Sequence, residues 1–69
     1  MEEFELGKHE YIELCNLLKI MGFCESGGFA KNVIAQGEVT VDGEVETRKT
    51  CKIKTGKVVE YNAQKVKVV

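Results

Sequence analysis

The chain of 69 residues contains no proline, no tryptophan, one histidine and no long apolar run. No run approaches the roughly 18 residues that a membrane helix requires, so we expect no membrane span. The acidic start, MEEFELGK, lacks the apolar stretch of a secretory signal, and we therefore expect a cytoplasmic protein. The length predicts one domain over residues 1–69 with a small core.

The residue types that build metal and catalytic sites are few and lack the required spacing. The three cysteines, Cys15, Cys24 and Cys51, form no CxxC pair, and His9 is the only histidine. We therefore expect reduced thiols and no metal site. HExxH, GxSxG and phosphate-loop motifs are all absent from the sequence. These absences favour a protein that is not an enzyme and uses no cofactor.

Apolar residues at helical spacing predict a first helix over residues 8–21. The stripe consists of Tyr11, Leu14, Cys15, Leu18 and Met21. Glu10 and Glu13 fall in the expected first turn, where the helix dipole favours anions, and Gly22 provides a left-handed stop. Ahead of the helix, residues 4–6 alternate apolar and acidic side chains, which indicates a short strand.

A second helix is predicted between Ser26 and Gly37, because serine is a good N-cap and glycine a good terminator. The apolar residues Ala30, Val33 and Ile34 give this helix a buried face. We also assign Phe29 to packing within the helical hairpin, as we do Phe23. With both phenylalanines packed, the sequence offers no exposed aromatic platform for stacking bases.

The rest of the chain alternates apolar and polar residues and predicts strands. Asp42-Gly43 is the strongest hairpin signal, because a type I′ turn needs positive φ at both central residues. Asn62-Ala63 suggests a second tight turn. The final valines predict an edge strand, on which Lys65 and Lys67 would discourage pairing with other chains.

Charge is distributed unevenly along the chain, although the net charge is only −1. Residues 1–46 carry three lysines and ten acids, a balance of −7. Residues 47–69 carry seven basic residues and one acid, a balance of +6. Such asymmetry indicates a basic face for an anionic partner, although a solvated strand surface would give the same pattern.

Two clusters of residues suit phosphate binding. The first opens the predicted second helix, where free backbone N–H groups point outwards, and comprises Ser26, Gly27, Gly28 and Lys31. Two glycines would equally suit a cramped turn between helices. The second cluster comprises Arg48, Lys49, Lys52 and Lys54. Spacing alone does not show that the two clusters meet.

The chain from the first predicted helix onward resembles the S4 RNA-binding domain family. In that family a leucine-bearing helix and a glycine precede the pattern S-R-x-x-A-x-x-L-I-x-x-G-x-V-x-V-N-G. The corresponding residues here are Leu14, Leu17, Leu18, Gly22, Ser26, Ala30, Val33, Ile34, Gly37, Val39, Val41, Asp42 and Gly43, followed by TGKVV at 55–59. The stretches LGKHEYIELCNLLK, ESGGFAK and VDGEVETRKTCKI are closer still to small free-standing bacterial S4-like proteins.

The resemblance implies an α+β fold, the αL motif, in which a two-helix hairpin packs on a small twisted, mainly antiparallel β-sheet. It implies a domain that binds structured RNA, ribosomal or transfer, in RNA modification or ribosome assembly. Because the sequence offers no aromatic platform, we expect recognition through backbone phosphates and shape, and nothing in the sequence requires more than a monomer. An RNA-modifying enzyme or a ribosomal component is the implied protein partner. The implied RNA-binding residues are Lys8, Ser26, Gly27, Gly28, Lys31, Arg48, Lys49, Lys52 and Lys54. Gly27 departs from the family, which has an arginine phosphate contact there.

A protein-interaction adaptor in an RNA-processing complex is the alternative interpretation. In that case the acidic first helix, with Glu10 and Glu13, faces a basic protein. The adaptor hypothesis predicts that substitutions of Lys31 and Arg48 leave function unchanged, whereas charge reversal on the first helix impairs it.

Overall fold

The computed structural model describes residues 1–69 and contains two helices and seven short strands. The helices are α1 (Leu14–Ile20) and α2 (Gly27–Ala35). The strands are β1 (Glu2–Phe4), β2 (Ile12–Glu13), β3 (Val39–Val41), β4 (Glu44–Val45), β5 (Lys52–Ile53), β6 (Val58–Tyr61) and β7 (Gln64–Val68). Five strands form one sheet in the order β1-β7-β6-β3-β4, in which only the β1–β7 pair is parallel. Strands β2 and β5 form a separate antiparallel pair.

The core joins the helical hairpin to one face of the sheet. Its largest fully buried side chains are Leu14, Leu17, Leu18 and Ile34 from the helices, and Val39, Ile53, Val59, Val66 and Val68 from the strands. No polar or charged residue is buried with them. Burial of each such side chain stabilises the fold by roughly 1.5–3 kcal/mol relative to exposure. Neither helix is long and apolar enough to cross a membrane.

The first helix begins at Leu14, so the prediction of a helix from residue 8 is wrong. Residues 12–13 are instead extended and pair with β5, with Ile12 opposite Ile53. Glu10 and Glu13 therefore precede the helix, and Glu13 occupies the N-cap position without a side-chain capping bond. The prediction made the helix too long because hydrophobic periodicity describes only neighbouring residues. It contains no information about pairing with β5, which lies far along the chain.

The predicted turns are confirmed by their backbone conformations. Asp42 and Gly43 have φ of 53° and 84° and join β3 to β4. Asn62 and Ala63 have φ of 52° and 65° and join β6 to β7. Ala63 occupies the left-handed region although its Cβ disfavours that conformation.

Strand β7 lies inside the sheet, between β1 and β6, so its predicted edge position is wrong. The N-terminal strand β1 pairs with it in parallel, with Glu2 opposite Val66 and Phe4 opposite Val68. The edges of the sheet are β1 and β4. Lys65 and Lys67 alternate with buried valines as predicted and remain exposed.

Candidate nucleic-acid interface

Part of the second basic cluster lies on a loop that is bound to the first turn of α1. The backbone N–H of Leu14 donates to the carbonyl of Cys51 at 2.9 Å, and that of Cys15 donates to the carbonyl of Lys49 at 3.2 Å. The first N–H groups of a helix have no partner within the helix, so this loop takes the place of a side-chain cap. Main-chain hydrogen bonds therefore attach the segment of residues 48–52, which carries these cations, to the helical hairpin.

Glu46 orients Arg48 at the start of this loop. The guanidinium donates from Nε to Oε2 of Glu46 at 2.9 Å and from Nη2 to Oε1 at 3.0 Å. The backbone N–H of Arg48 also donates to Oε2 at 2.9 Å. Together these bonds lower the pKa of Glu46 to about 2, and the guanidinium hydrogen bonds contribute more than the backbone bond. The side-chain hydrogen bonds with Glu46 also raise the pKa of Arg48. The Arg48 side chain remains 76% exposed, so its unused donors face solvent.

Cys51 completes this small polar group. Its thiol donates to Oε1 of Glu46 at 3.5 Å, and Nη2 of Arg48 lies 3.5 Å from the sulfur. Burial and then the Glu46 carboxylate raise the pKa of Cys51. At neutral pH the sulfur is therefore a neutral thiol that supports Glu46, and it is a poor nucleophile.

Lys52 and Lys8 lie around Tyr11. Lys52 is opposite Glu13 in the β2–β5 pair, and its Nζ lies 5.1 Å from the centroid of the Tyr11 ring, within cation–π range. Lys8 and Tyr11 border the same surface groove. Lys54 follows β5 and is exposed. The structure thus places Lys52 over the Tyr11 ring and Lys8 along the groove that Tyr11 borders.

The first cluster opens α2 as predicted. The Oγ of Ser26 accepts a hydrogen bond from the backbone N–H of Phe29 at 3.1 Å, and Gly27 and Gly28 form the first two helical residues. A Cβ at Gly27 would meet nothing within 4 Å, and one at Gly28 only the serine Oγ at 3.9 Å. Steric crowding therefore does not account for the glycines. Lys31 is exposed in the next turn.

The two clusters lie at opposite ends of α1. The loop with Lys49 is bound to the start of α1. Cys24, two residues before Ser26, lies near the other end of α1, where its backbone N–H donates to the Leu18 carbonyl. Seven residues of α-helix are about 10 Å long. No hydrogen bond or ion pair joins one cluster to the other.

Asp42, at the position where the S4 pattern has an asparagine, has its charge paired locally. Its Oδ1 accepts from the backbone N–H of Val58 at 2.9 Å, and its Oδ2 lies 3.2 Å from Nζ of Lys57. Both contacts lower the pKa of Asp42, and the hydrogen bond from the Val58 backbone contributes more than Lys57 does. This carboxylate therefore connects two strands and uses the charge of Lys57, which is not among the predicted binding residues.

Two aromatic residues are exposed where the sequence predicted packing. Phe29 is 45% exposed in the first turn of α2, and Tyr11 is 38% exposed ahead of α1. Phe29 shares its helix face with Asn32 and Gln36, and this polar face was the signal that would have predicted exposure. For Tyr11 no such signal existed, because its position depends on the β2–β5 pair. Glu46 was also missed, since only the structure shows its contacts with Arg48.

Comparison with known proteins gives consistent results. Residues 4–69 match the family model of the S4 domain. YbcJ of Escherichia coli K12 is 55% identical over 69 residues, which is all of this chain and 99% of the relative, and YbcJ of Shigella flexneri matches to the same extent.

Two solved structures are also similar. The solution structure of E. coli YbcJ, which revealed an αL motif involved in RNA binding, matches all of this chain and 87% of that chain with a TM-score of 0.77. The 30S ribosomal protein S4e from Thermoplasma acidophilum matches 90% of this chain and 33% of that chain, with a TM-score of 0.68 at 24% identity. The predicted α+β fold with an αL motif is confirmed, and the chain belongs to the S4 domain family.

Proposed function

We propose that this chain is a non-catalytic, cytoplasmic RNA-binding module that acts as a monomer of one domain, residues 1–69. Its ligand is structured ribosomal or transfer RNA, bound through backbone phosphates and shape during RNA modification or ribosome assembly. The nearby relative E. coli YbcJ has an αL motif involved in RNA binding, and this chain is 55% identical to it.

The observation that carries the proposal is the basic segment of residues 46–54, which consists of the loop after β4 and strand β5. It contains four cations, and no acid occurs between residues 47 and 59. Main-chain bonds to α1 and the Glu46 carboxylate order this loop before any ligand arrives. A preordered set of cations binds phosphates without a further entropic cost of ordering the loop.

The start of α2 supplies the second contact. Its free N–H groups and the positive end of the helix dipole attract a phosphate, and Lys31 adds a full charge. Open space at Gly27 and Gly28 lets the RNA backbone approach the main chain closely. These backbone donors take the place of the arginine that most S4 domains have at position 27. Lys8 and Lys54 complete the contacts at the margin.

The test is a titration of the protein with structured RNA, a set of ribosomal hairpins and bulk tRNA, followed by amide NMR at two salt concentrations. We expect salt-sensitive shifts at residues 26–31 and 48–54. Lys49→Ala is the clearest variant, because the Lys49 side chain makes no ion pair. It should weaken binding to every RNA and reduce the slope of log K against log salt by about 1.

The matched control is Lys65→Ala, which removes another exposed lysine from β7, outside the proposed interface. It should change the slope by much less than Lys49→Ala does. Equal effects of the two variants would show that only net charge matters and would refute the interface. Absence of any shift at low salt in a folded sample would refute RNA binding and favour the adaptor hypothesis.

A further inference from the structure

An open groove of about 610 Å³ lies between β1, the turn that follows it, and α1. Its apolar lining residues are Phe4, Leu6, Tyr11, Ile12 and Ile20. Two of these are unusually exposed for their type, Tyr11 at 38% and Ile20 at 60%. The groove is therefore an apolar surface that the chain itself does not cover.

Charged residues of both signs lie along this groove. Glu10 and Glu13 line it, and Nδ2 of Asn16 donates to Oε1 of Glu13 at 3.5 Å. Carboxylates repel phosphate, so a phosphate group will not enter the groove. Lys8 lies among the lining residues, however, and Lys52 holds its ammonium over the Tyr11 ring. A ligand that suits both features is anionic outside the groove and uncharged within it.

The Tyr11 ring contacts both the basic segment and the groove. The ammonium of Lys52 lies over the ring, 5.1 Å from its centroid, and Tyr11 is also one of the residues that line the groove. The ring is 38% exposed, and a partly exposed aromatic ring is the group on which proteins stack unpaired bases of RNA.

We propose that this groove receives one unpaired base of the bound RNA, stacked on Tyr11, with the flanking phosphates at Lys8 and Lys52. The inference rests on the proposed RNA-binding function and adds recognition of an unpaired base to recognition of backbone and shape. The carboxylates of Glu10 and Glu13 are acceptors for an exocyclic amino group, as a carboxylate is for the N4 amine of cytosine. The preferred RNA is thus a helix with a bulge or a loop.

The test compares two RNAs, a short perfect duplex and the same duplex with a single-nucleotide bulge. The wild-type chain should bind the bulged RNA more tightly. Tyr11→Ala should weaken binding of the bulged RNA by roughly 5- to 150-fold, the range expected for loss of one base–aromatic stack, and leave duplex binding within about twofold. Tyr11→Phe keeps the ring and should retain the preference for the bulge.

Tyrosine fluorescence gives a second, independent measurement. The chain has two tyrosines and no tryptophan, so Tyr61→Phe leaves Tyr11 as the only strong fluorophore. We expect the bulged RNA to quench this emission and the perfect duplex to leave it nearly unchanged.

The possible outcomes separate the two proposals. Equal losses for both RNAs in Tyr11→Ala would mean that the ring acts only by positioning Lys52, and would overturn the base site. Unchanged affinity for both RNAs would overturn it as well, while RNA binding itself would stand. If neither RNA bound the wild-type chain, the proposed function would fail first. A basic peptide that occupied the groove while RNA stayed bound would assign this surface to a protein partner.

Discussion

The Glu46 carboxylate is the single polar group on which the geometry of the basic loop most depends. It accepts three hydrogen bonds from Arg48 and one from the Cys51 thiol. Replacing Glu46 by glutamine keeps the size of the side chain and removes its charge. The amide retains one acceptor oxygen, so the bidentate contact with the guanidinium is lost.

The expected cost of Glu46→Gln is about 1 kcal/mol in the free energy of unfolding. Hydrogen bonds to a charged group contribute roughly 1.5–3 kcal/mol each, but exposed ion pairs contribute only about 0.2–1 kcal/mol. The Glu46 side chain is 16% exposed, whereas Arg48 is 76% exposed, and water therefore screens the guanidinium. A loss of 1 kcal/mol corresponds to a decrease in Tm of roughly 4–8 °C for a domain of this size.

The effect must depend on pH with a definite sign. The pKa of Glu46 is lowered from 4.5 to about 2 in the folded state. A carboxyl with a lowered folded-state pKa contributes stability that is present above its unfolded pKa and is lost as the pH falls through the folded value. The difference between wild type and Glu46→Gln should therefore be constant above about pH 5.5 and shrink between about pH 4.5 and 2.

Urea unfolding of both proteins from pH 7 to pH 2 measures this difference. Glu44→Gln is the matched control, because Glu44 lies two residues away and makes no side-chain hydrogen bond or ion pair. We expect that control to change the free energy of unfolding by less than about 0.5 kcal/mol. A Glu46→Gln deficit that is absent at pH 7, or equally large at pH 2, would refute the assigned role of the carboxylate.

Two further predictions concern backbone positions. Ser26→Ala should lower the free energy of unfolding by about 1 kcal/mol, because the side-chain cap of α2 is lost. Ser26→Asp should retain the cap and therefore the Tm. It should still weaken RNA binding, because it places a carboxylate at the phosphate contact. A loss of Tm with unchanged RNA affinity in Ser26→Asp would contradict this. Ala63→Gly should stabilise the chain by roughly 0.5–1 kcal/mol, and Gly43→Ala should destabilise it by a comparable amount, because both residues have positive φ. Thermal unfolding of the two variants measures both effects. A decrease in Tm for Ala63→Gly would contradict the prediction.

Local signals in the sequence predicted much of the fold. The serine cap at residue 26, the glycine stop at Gly37 and the hairpin at Asp42-Gly43 all lie where the sequence placed them, because each is decided by neighbouring residues. The start of α1 and the position of β7 were predicted wrongly. Both depend on strands distant in the chain, β5 in one case and β1 in the other.

The candidate interface divides in the same way. The sequence identified its cations, since charge and S4-like spacing are visible in the chain itself. It could not show that Glu46 already holds Arg48, or that the loop around Lys49 caps α1, because those contacts depend on how the loop folds back.

Short-range patterns in the chain were enough to predict the family, the residue types of the proposed binding surface and the turns. Which side chains remain exposed depends instead on how distant segments pack together. Pairing of residues 12–13 with β5 ended α1 early and left Tyr11 at the surface beside Lys52. Exposure is a property of three-dimensional packing. A stripe of apolar residues indicates which side chains could be buried, and the partner strand determines which of them are.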